Sequence, residues 1–130
     1  MTSFDERVYG RAVVGYLDVM PPPDYVSPFS ISTLRTPAGE RLVLTGELDL
    51  ATVPDLRRRI DELAQKGQSR IELDFTAVDY IDSSGLAALV RARQRLTGDD
   101  PGLVLIGLSP NLRHILDLTG LISFFEFGDE

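Results

Sequence analysis

The sequence predicts a single α/β domain with a mixed, mostly parallel sheet of about five strands in the order β-β-α-β-α-β-α-β. Three observations lead there. Segments with two-residue apolar alternation interchange with segments of helical periodicity, which is the pattern of strands joined by crossover helices. The helical segments open on capping residues and proline and close near glycine. Finally, Ile71, Leu73 and Phe75 alternate with Glu72 and Asp74. A parallel strand covered on both faces reads as apolar throughout, so this alternation places the helices mainly on one face of the sheet.

The first strand is read from the alternation of Phe29, Ile31 and Thr33 with their neighbours, and Thr36-Pro37-Ala38-Gly39-Glu40 is read as a turn. Arg41–Leu48, rich in Leu and Val, follows as a second strand, antiparallel to the first. Thr52-Val53-Pro54-Asp55 opens the first helix, with Thr52 as cap, Pro54 in the first turn and Asp55 at the positive end of the dipole. Leu56, Ile60, Leu63 and Ala64 form its apolar stripe, and Gly67 ends it. Arg70–Phe75 is the third strand. A second helix runs from Ser84 to Leu96, stopped by Gly98 and Pro101. Leu103–Leu108, apolar throughout, is a fourth and central strand. Ser109 caps a third helix over Pro110–Leu118, and Phe124–Phe127 is a last short strand.

Residues 1–28 differ from the rest. Pro21-Pro22-Pro23 and Pro28 exclude a helix interior or central strand, so this segment reads as an N-terminal arm or linker ahead of a domain at 29–130. The segment reads equally as a mobile tail or as a docked arm whose apolar residues Val13, Val14, Tyr16 and Leu17 cover the sheet face left bare by the helices or pair with another molecule.

At 130 residues, 43% of them hydrophobic and 25% charged, the chain has the make-up of a soluble globular domain that needs no covalent staples. It has no cysteine, which removes disulfides, thiolate metal sites and cysteine nucleophiles from consideration. The apolar runs fall short of a membrane span, and acidic residues stand where a secretory signal has basic ones, so a cytoplasmic location is expected. Of the net charge of −7, residues 30–125 contribute only −2. That balance argues against a nucleic-acid partner, whose phosphates call for a basic excess.

The segment with most chemical content is Tyr80-Ile81-Asp82-Ser83-Ser84-Gly85-Leu86, at the junction of the third strand and second helix. Open α/β sheets carry their sites at the carboxyl ends of strands. Ser83 falls at a helix N-terminus, where free N–H groups and the dipole favour negative charge. Taken by spacing alone, Asp-Ser-Ser is equally ordinary N-cap chemistry. An enzyme reading lacks its parts. There is no G-x-S-x-G elbow for Ser83 and no phosphate loop, and the one histidine, His114, is expected to be exposed. Carboxylates at Glu47, Asp49, Asp79 and Asp82 are read as solvated loop acids rather than a metal site. The arginines at 57, 58, 59, 91, 93 and 95 are read mostly as solvated helix faces, some of them able to meet an acidic partner.

Leu44-Thr45-Gly46-Glu47-Leu48-Asp49, followed by Ile81-Asp82-Ser83-Ser84-Gly85-Leu86, resembles the paired signature of STAS domains, and within them the anti-sigma factor antagonists. Ser109-Pro110-Asn111 and Leu118-Thr119-Gly120-Leu121 resemble later segments of the same family, so the likeness spans about residues 30–127. The arm before Phe29 departs from it. The resemblance implies a non-enzymatic, phosphorylation-controlled switch without cofactor or metal. Ser83 would be the phosphoacceptor, with Asp82, Ser84, Gly85 and Asp49 forming its surroundings and the partner-binding surface. The implied partners are an anti-sigma factor with serine kinase activity and a metal-dependent serine phosphatase, with no nucleic acid or membrane, the chain acting as a monomer or weak dimer. Alternatives are a STAS scaffold or accessory subunit of a signalling or transport assembly, and a weak nucleotide-processing enzyme.

Overall fold

A computed structural model of the protein describes residues 29–96 and 102–128, and these form five strands and three helices. In chain order they are β1 (Ser30–Thr36), β2 (Gly39–Leu48), α1 (Val53–Gln65), β3 (Ile71–Ile81), α2 (Ser83–Arg95), β4 (Leu103–Ile106), α3 (Pro110–Leu118) and β5 (Glu126–Phe127). The sheet order is β1-β2-β3-β4-β5, with β1 antiparallel to β2 and every other pair parallel. The order is sequential, so each crossover steps in the same direction along the sheet. Right-handed crossovers then place all three helices on one face, as the alternation in β3 had implied.

One apolar cluster forms between sheet and helices. Leu42, Leu44 and Leu48 of β2, Leu73 and Phe75 of β3, and Leu105 of β4 meet Leu56, Ile60, Leu89 and Leu116 of the helices. The opposite face is polar where β2 and β3 cross it. Glu72 is buried there, yet it is neutralised by Arg41 at 2.9 Å and Arg70 at 3.4 Å, as a buried carboxylate requires. Val104 and Ile106 make β4 apolar on both sides, and Gly128 lies against them.

Several boundaries differ from the sequence reading. The turn between β1 and β2 shrinks to Pro37-Ala38, because Thr36 and Gly39 already pair. β3 continues six residues beyond Phe75, through Thr76, Asp79 and other polar positions. The extension is held by β2, which pairs Thr45 with Ala77, Glu47 with Tyr80 and Leu48 with Ile81 across two register shifts. The shifts fall between Val43 and Thr45 and between Gly46 and Glu47, and at each of them β3 carries one residue more than β2. Gly46, beside the second shift, has a φ of 103°, a conformation that side chains resist and glycine accepts. β4 stops at Ile106, and β5 keeps only two residues. The arm, Gly98 and Pro101 lie outside the described residues.

Two helix features also differ. Thr52 occupies the N-cap position of α1, but its hydroxyl makes no capping bond. Arginines read as solvated instead tie elements together. Arg59 donates to the Ile31 carbonyl at 3.4 Å and to the Thr33 hydroxyl, and Arg93 Nε donates to the Phe124 carbonyl at 2.8 Å.

Core and surface give contrasting expectations. Leu73→Ala, at a fully buried position, is expected to cost about 2–5 kcal/mol, whereas Leu118→Ala, at a position 73% exposed, should stay within about 0.5 kcal/mol of the parent. Urea unfolding of the two variants measures both.

Candidate functional site

The carboxyl ends of β2 and β3 lie side by side, and the chain leaves each of them into a helix. After β2 the loop is closed by Asp49. Its carboxylate accepts from the N–H groups of Ala51 at 3.0 Å and Thr52 at 3.1 Å, and its carbonyl accepts from Val53 N–H at 2.9 Å. The Thr52 hydroxyl accepts from Asp49 N–H at 2.9 Å and reaches the Glu47 carbonyl at 2.7 Å. Asp49 thereby takes the capping part expected of Thr52, three residues upstream. Its carboxylate is engaged in holding the loop.

After β3 the chain enters α2 through Asp82. Its side chain accepts from Gly85 N–H at 3.0 Å, its carbonyl accepts from Leu86 N–H at 3.0 Å, and its own N–H donates to the Leu48 carbonyl at 3.3 Å. The last bond ties the start of α2 to the end of β2. Gly85 completes the seat. A Cβ there would fall 2.6 Å from both the Leu48 carbonyl oxygen and Ile81 Cγ1, so only glycine lets the first turn come this close. Glycine in the motif has a packing cause, and Gly85 is buried.

Ser83 is the first residue of α2 and is exposed, and Ser84 is half-buried. Among the described residues the N–H groups of Ser83 and Ser84 donate to nothing, which leaves the positive end of the helix facing outward beside the hydroxyl. The surrounding loop residues 47–52, 79–85 and 107–109 contain Glu47, Asp49, Asp79 and Asp82 and no Lys or Arg. Among the described residues, no three acidic or histidine side chains gather closely enough to hold a metal ion. His114 is exposed on α3.

Two exposed apolar side chains stand at this edge, Leu50, which the sequence reading missed, and Tyr80, which it named only within the junction segment. Leu50 in the β2–α1 loop is 63% exposed, and Tyr80, paired with Glu47 near the end of β3, is 50% exposed. The signal available was Leu50 itself, an apolar residue between Asp49 and the opening of a helix.

Residues 31–124 match the family described as Mlab, STAS domain. The chain belongs to the STAS domain family. This STAS domain is 34% identical over 76 residues to the anti-sigma-B factor antagonist of Staphylococcus epidermidis, covering 58% of the present chain and 70% of that protein. The antagonist of the same name from Staphylococcus aureus matches with the same identity and coverage. Its fold is also that of an anti-sigma factor antagonist from Mycobacterium paratuberculosis, with a TM-score of 0.68 at 24% identity over 83% of this chain and 89% of that one. The Bacillus cell fate determinant SpoIIAA in its phosphorylated form matches with a TM-score of 0.59 at 24% identity, over 78% of this chain and 90% of that one. Among the described residues of the STAS domain no helix is long and apolar enough to cross a membrane.

The seat of α2 gives a stability expectation. Gly85→Ala should cost about 1–3 kcal/mol by overpacking, and Asp82→Ala about 1 kcal/mol through the lost cap. Each kcal/mol lowers the thermal midpoint of a domain of this size by roughly 4–8 °C. Thermal unfolding followed by circular dichroism reads both variants.

Proposed function

We propose that this STAS domain is an anti-sigma factor antagonist, a protein-binding switch set by phosphorylation of Ser83. With Ser83 unmodified, it sequesters an anti-sigma factor that is itself an ATP-dependent serine kinase. In the kinase step the Ser83 oxygen bonds the γ-phosphorus of ATP, ADP departs, and the hydroxyl proton passes to a base of the kinase. A metal-dependent serine phosphatase restores the hydroxyl. The chain supplies no catalytic residue of its own, needs no cofactor, and works in the cytoplasm.

One observation carries this reading: an exposed serine on the outward-facing first turn of a helix, within a rim that has four carboxylates and no base. A phosphate there adds −1.5 to −2 charges. The free N–H groups and the dipole of α2 accommodate it locally, and no basic residue in the rim folds over it. Its charge is therefore directed outward, at whatever covers the edge. A partner fitted to a neutral hydroxyl and to the neighbouring carboxylates of Asp82 and Asp49 meets an unpaired dianion, which costs several kcal/mol in an interface. That corresponds to a hundredfold or greater loss of affinity. Leu50 and Tyr80 provide the apolar area that a partner buries at the same edge.

The test uses purified protein, ATP and the anti-sigma-class serine kinases encoded in the same genome. One kinase is expected to modify the parent on Ser83 and to leave Ser83→Ala unmodified. Ser83→Asp should bind that kinase about a hundredfold more weakly, with a thermal midpoint close to the parent's. Equal phosphorylation of Ser83→Ala and the parent overturns the assignment, as does undiminished binding by Ser83→Asp.

A further inference from the structure

Where α1 and α2 pack together they leave an open groove of ≈ 200 Å³. Its floor is apolar, formed by Val53, Leu56 and Ile60 of α1 and by Ala88 and Ala92 of α2. The groove exists because the two alanines present only methyl groups to the larger side chains of α1. Arg57, Arg91 and Arg95 stand around it with Asp61. Arg95 lies 3.5 Å from Asp61 and shares its charge. Arg57 and Arg91 are exposed and, among the described residues, their side chains have neither an ion pair nor a hydrogen bond. Among the described residues the rim thus keeps two unneutralised cations, on a chain whose net charge is −7.

Size decides what class of occupant fits. Pockets for small ligands and cofactors run from about 300 to 1,000 Å³, above this one. A cavity of about 150 Å³ already holds benzene, so this groove matches one large apolar side chain. A single apolar anchor beside unpaired guanidinium groups is the chemistry of a protein segment with carboxylates next to its anchor.

Position decides which protein. Ser84, Ala88, Arg91, Ala92 and Arg95 follow one another at i, i+4, i+7, i+8 and i+11, so they share one face of α2. The groove begins one turn below Ser84. At 1.5 Å per residue, Ala88 is roughly 7.5 Å along the axis from Ser83 and Ala92 roughly 13.5 Å. A standard interface covers about 800 Å² on each partner, a disc of roughly 16 Å radius. A protein centred on Ser83 therefore reaches the groove as well.

We propose that the α1–α2 groove is a second docking point for the partner that reads Ser83, receiving one large apolar side chain flanked by carboxylates that pair with Arg57 and Arg91. The identity of that partner as the anti-sigma factor kinase rests on the function proposed above. The charge sign at the two points is opposite. The Ser83 edge is acidic and becomes more so on phosphorylation, while the groove is basic and is untouched by it. The groove contact supplies affinity that does not depend on the state of Ser83, and it selects among kinases by the charge beside their anchor.

The experiment is a calorimetric titration of the purified anti-sigma factor kinase into the full chain, using the parent, Arg57→Glu/Arg91→Glu, Ala88→Trp and Ser83→Asp. Both groove variants, with Ser83 unmodified, are expected to bind about tenfold or more weakly than the parent. The charge-reversed variant should also lose much of the salt dependence of binding. Arg57 and Arg91 are exposed, so the double variant keeps its fold even where tryptophan disturbs the helix pair. Parent-like binding by Arg57→Glu/Arg91→Glu, alongside lost binding by Ser83→Asp, overturns the groove and leaves the switch standing. Weakened binding by the groove variants with undiminished binding by Ser83→Asp does the reverse.

Discussion

The junction of β2, β3 and α2 is held by a small set of contacts around the Leu48 carbonyl. Asp82 N–H donates to it, and the bare Cα of Gly85 passes beneath it. The Asp82 side chain meanwhile closes the first turn of α2. These contacts decide where the helix starts, and the helix start decides where Ser83 points. A bulkier residue at 85 pushes the first turn away from the sheet, and loss of the cap lets that turn fray. Stability and geometry are therefore one constraint at this corner, because the contacts of Asp82 and Gly85 that hold the helix start also fix the position of Ser83.

The sheet topology serves the same end. Sequential strand order with right-handed crossovers brings α1 and α2 next to each other on one face. Their N-termini then open at the same edge, beside the ends of β2 and β3. The loop before α1 is held by the Asp49 carboxylate and the Thr52 hydroxyl, the turn before α2 by Asp82. Two rigid helix starts flank one another, one carrying the exposed serine and the other the exposed Leu50. On the function proposed, a partner meets a preformed surface, which limits the ordering that binding requires.

Element order, the antiparallel hairpin and the one-sided placement of helices were legible in the sequence because each rests on local periodicity. Ile71-Glu72-Leu73-Asp74-Phe75 states its own covered face, and Ser109-Pro110 states its own helix start. The second half of β3 was not legible, since Thr76 to Tyr80 breaks the alternation and is held by a partner strand across two register shifts. Nor was the exchange of capping duty between Thr52 and Asp49, which depends on how the loop folds rather than on residue type. At the β3–α2 junction, the placement of Ser83 at a helix start and the Asp82 cap followed from motif and position. That Gly85 is a steric requirement and that Arg59 and Arg93 bridge elements depend on distances between segments far apart in sequence, and that Asp49 also holds its own loop depends on how that loop folds.

The central claim is that Ser83 can gain an anion while the domain that presents it stays as it is. The direct measurement compares amide chemical shifts and unfolding midpoint of the full chain before and after stoichiometric phosphorylation at Ser83. Shift changes confined to the first turn of α2 and the adjoining ends of β2 and β3, with an unchanged midpoint, are the predicted result. Changes spread through the apolar cluster, or a midpoint lowered by many degrees, would show that phosphorylation acts by disturbing the fold and would contradict the account.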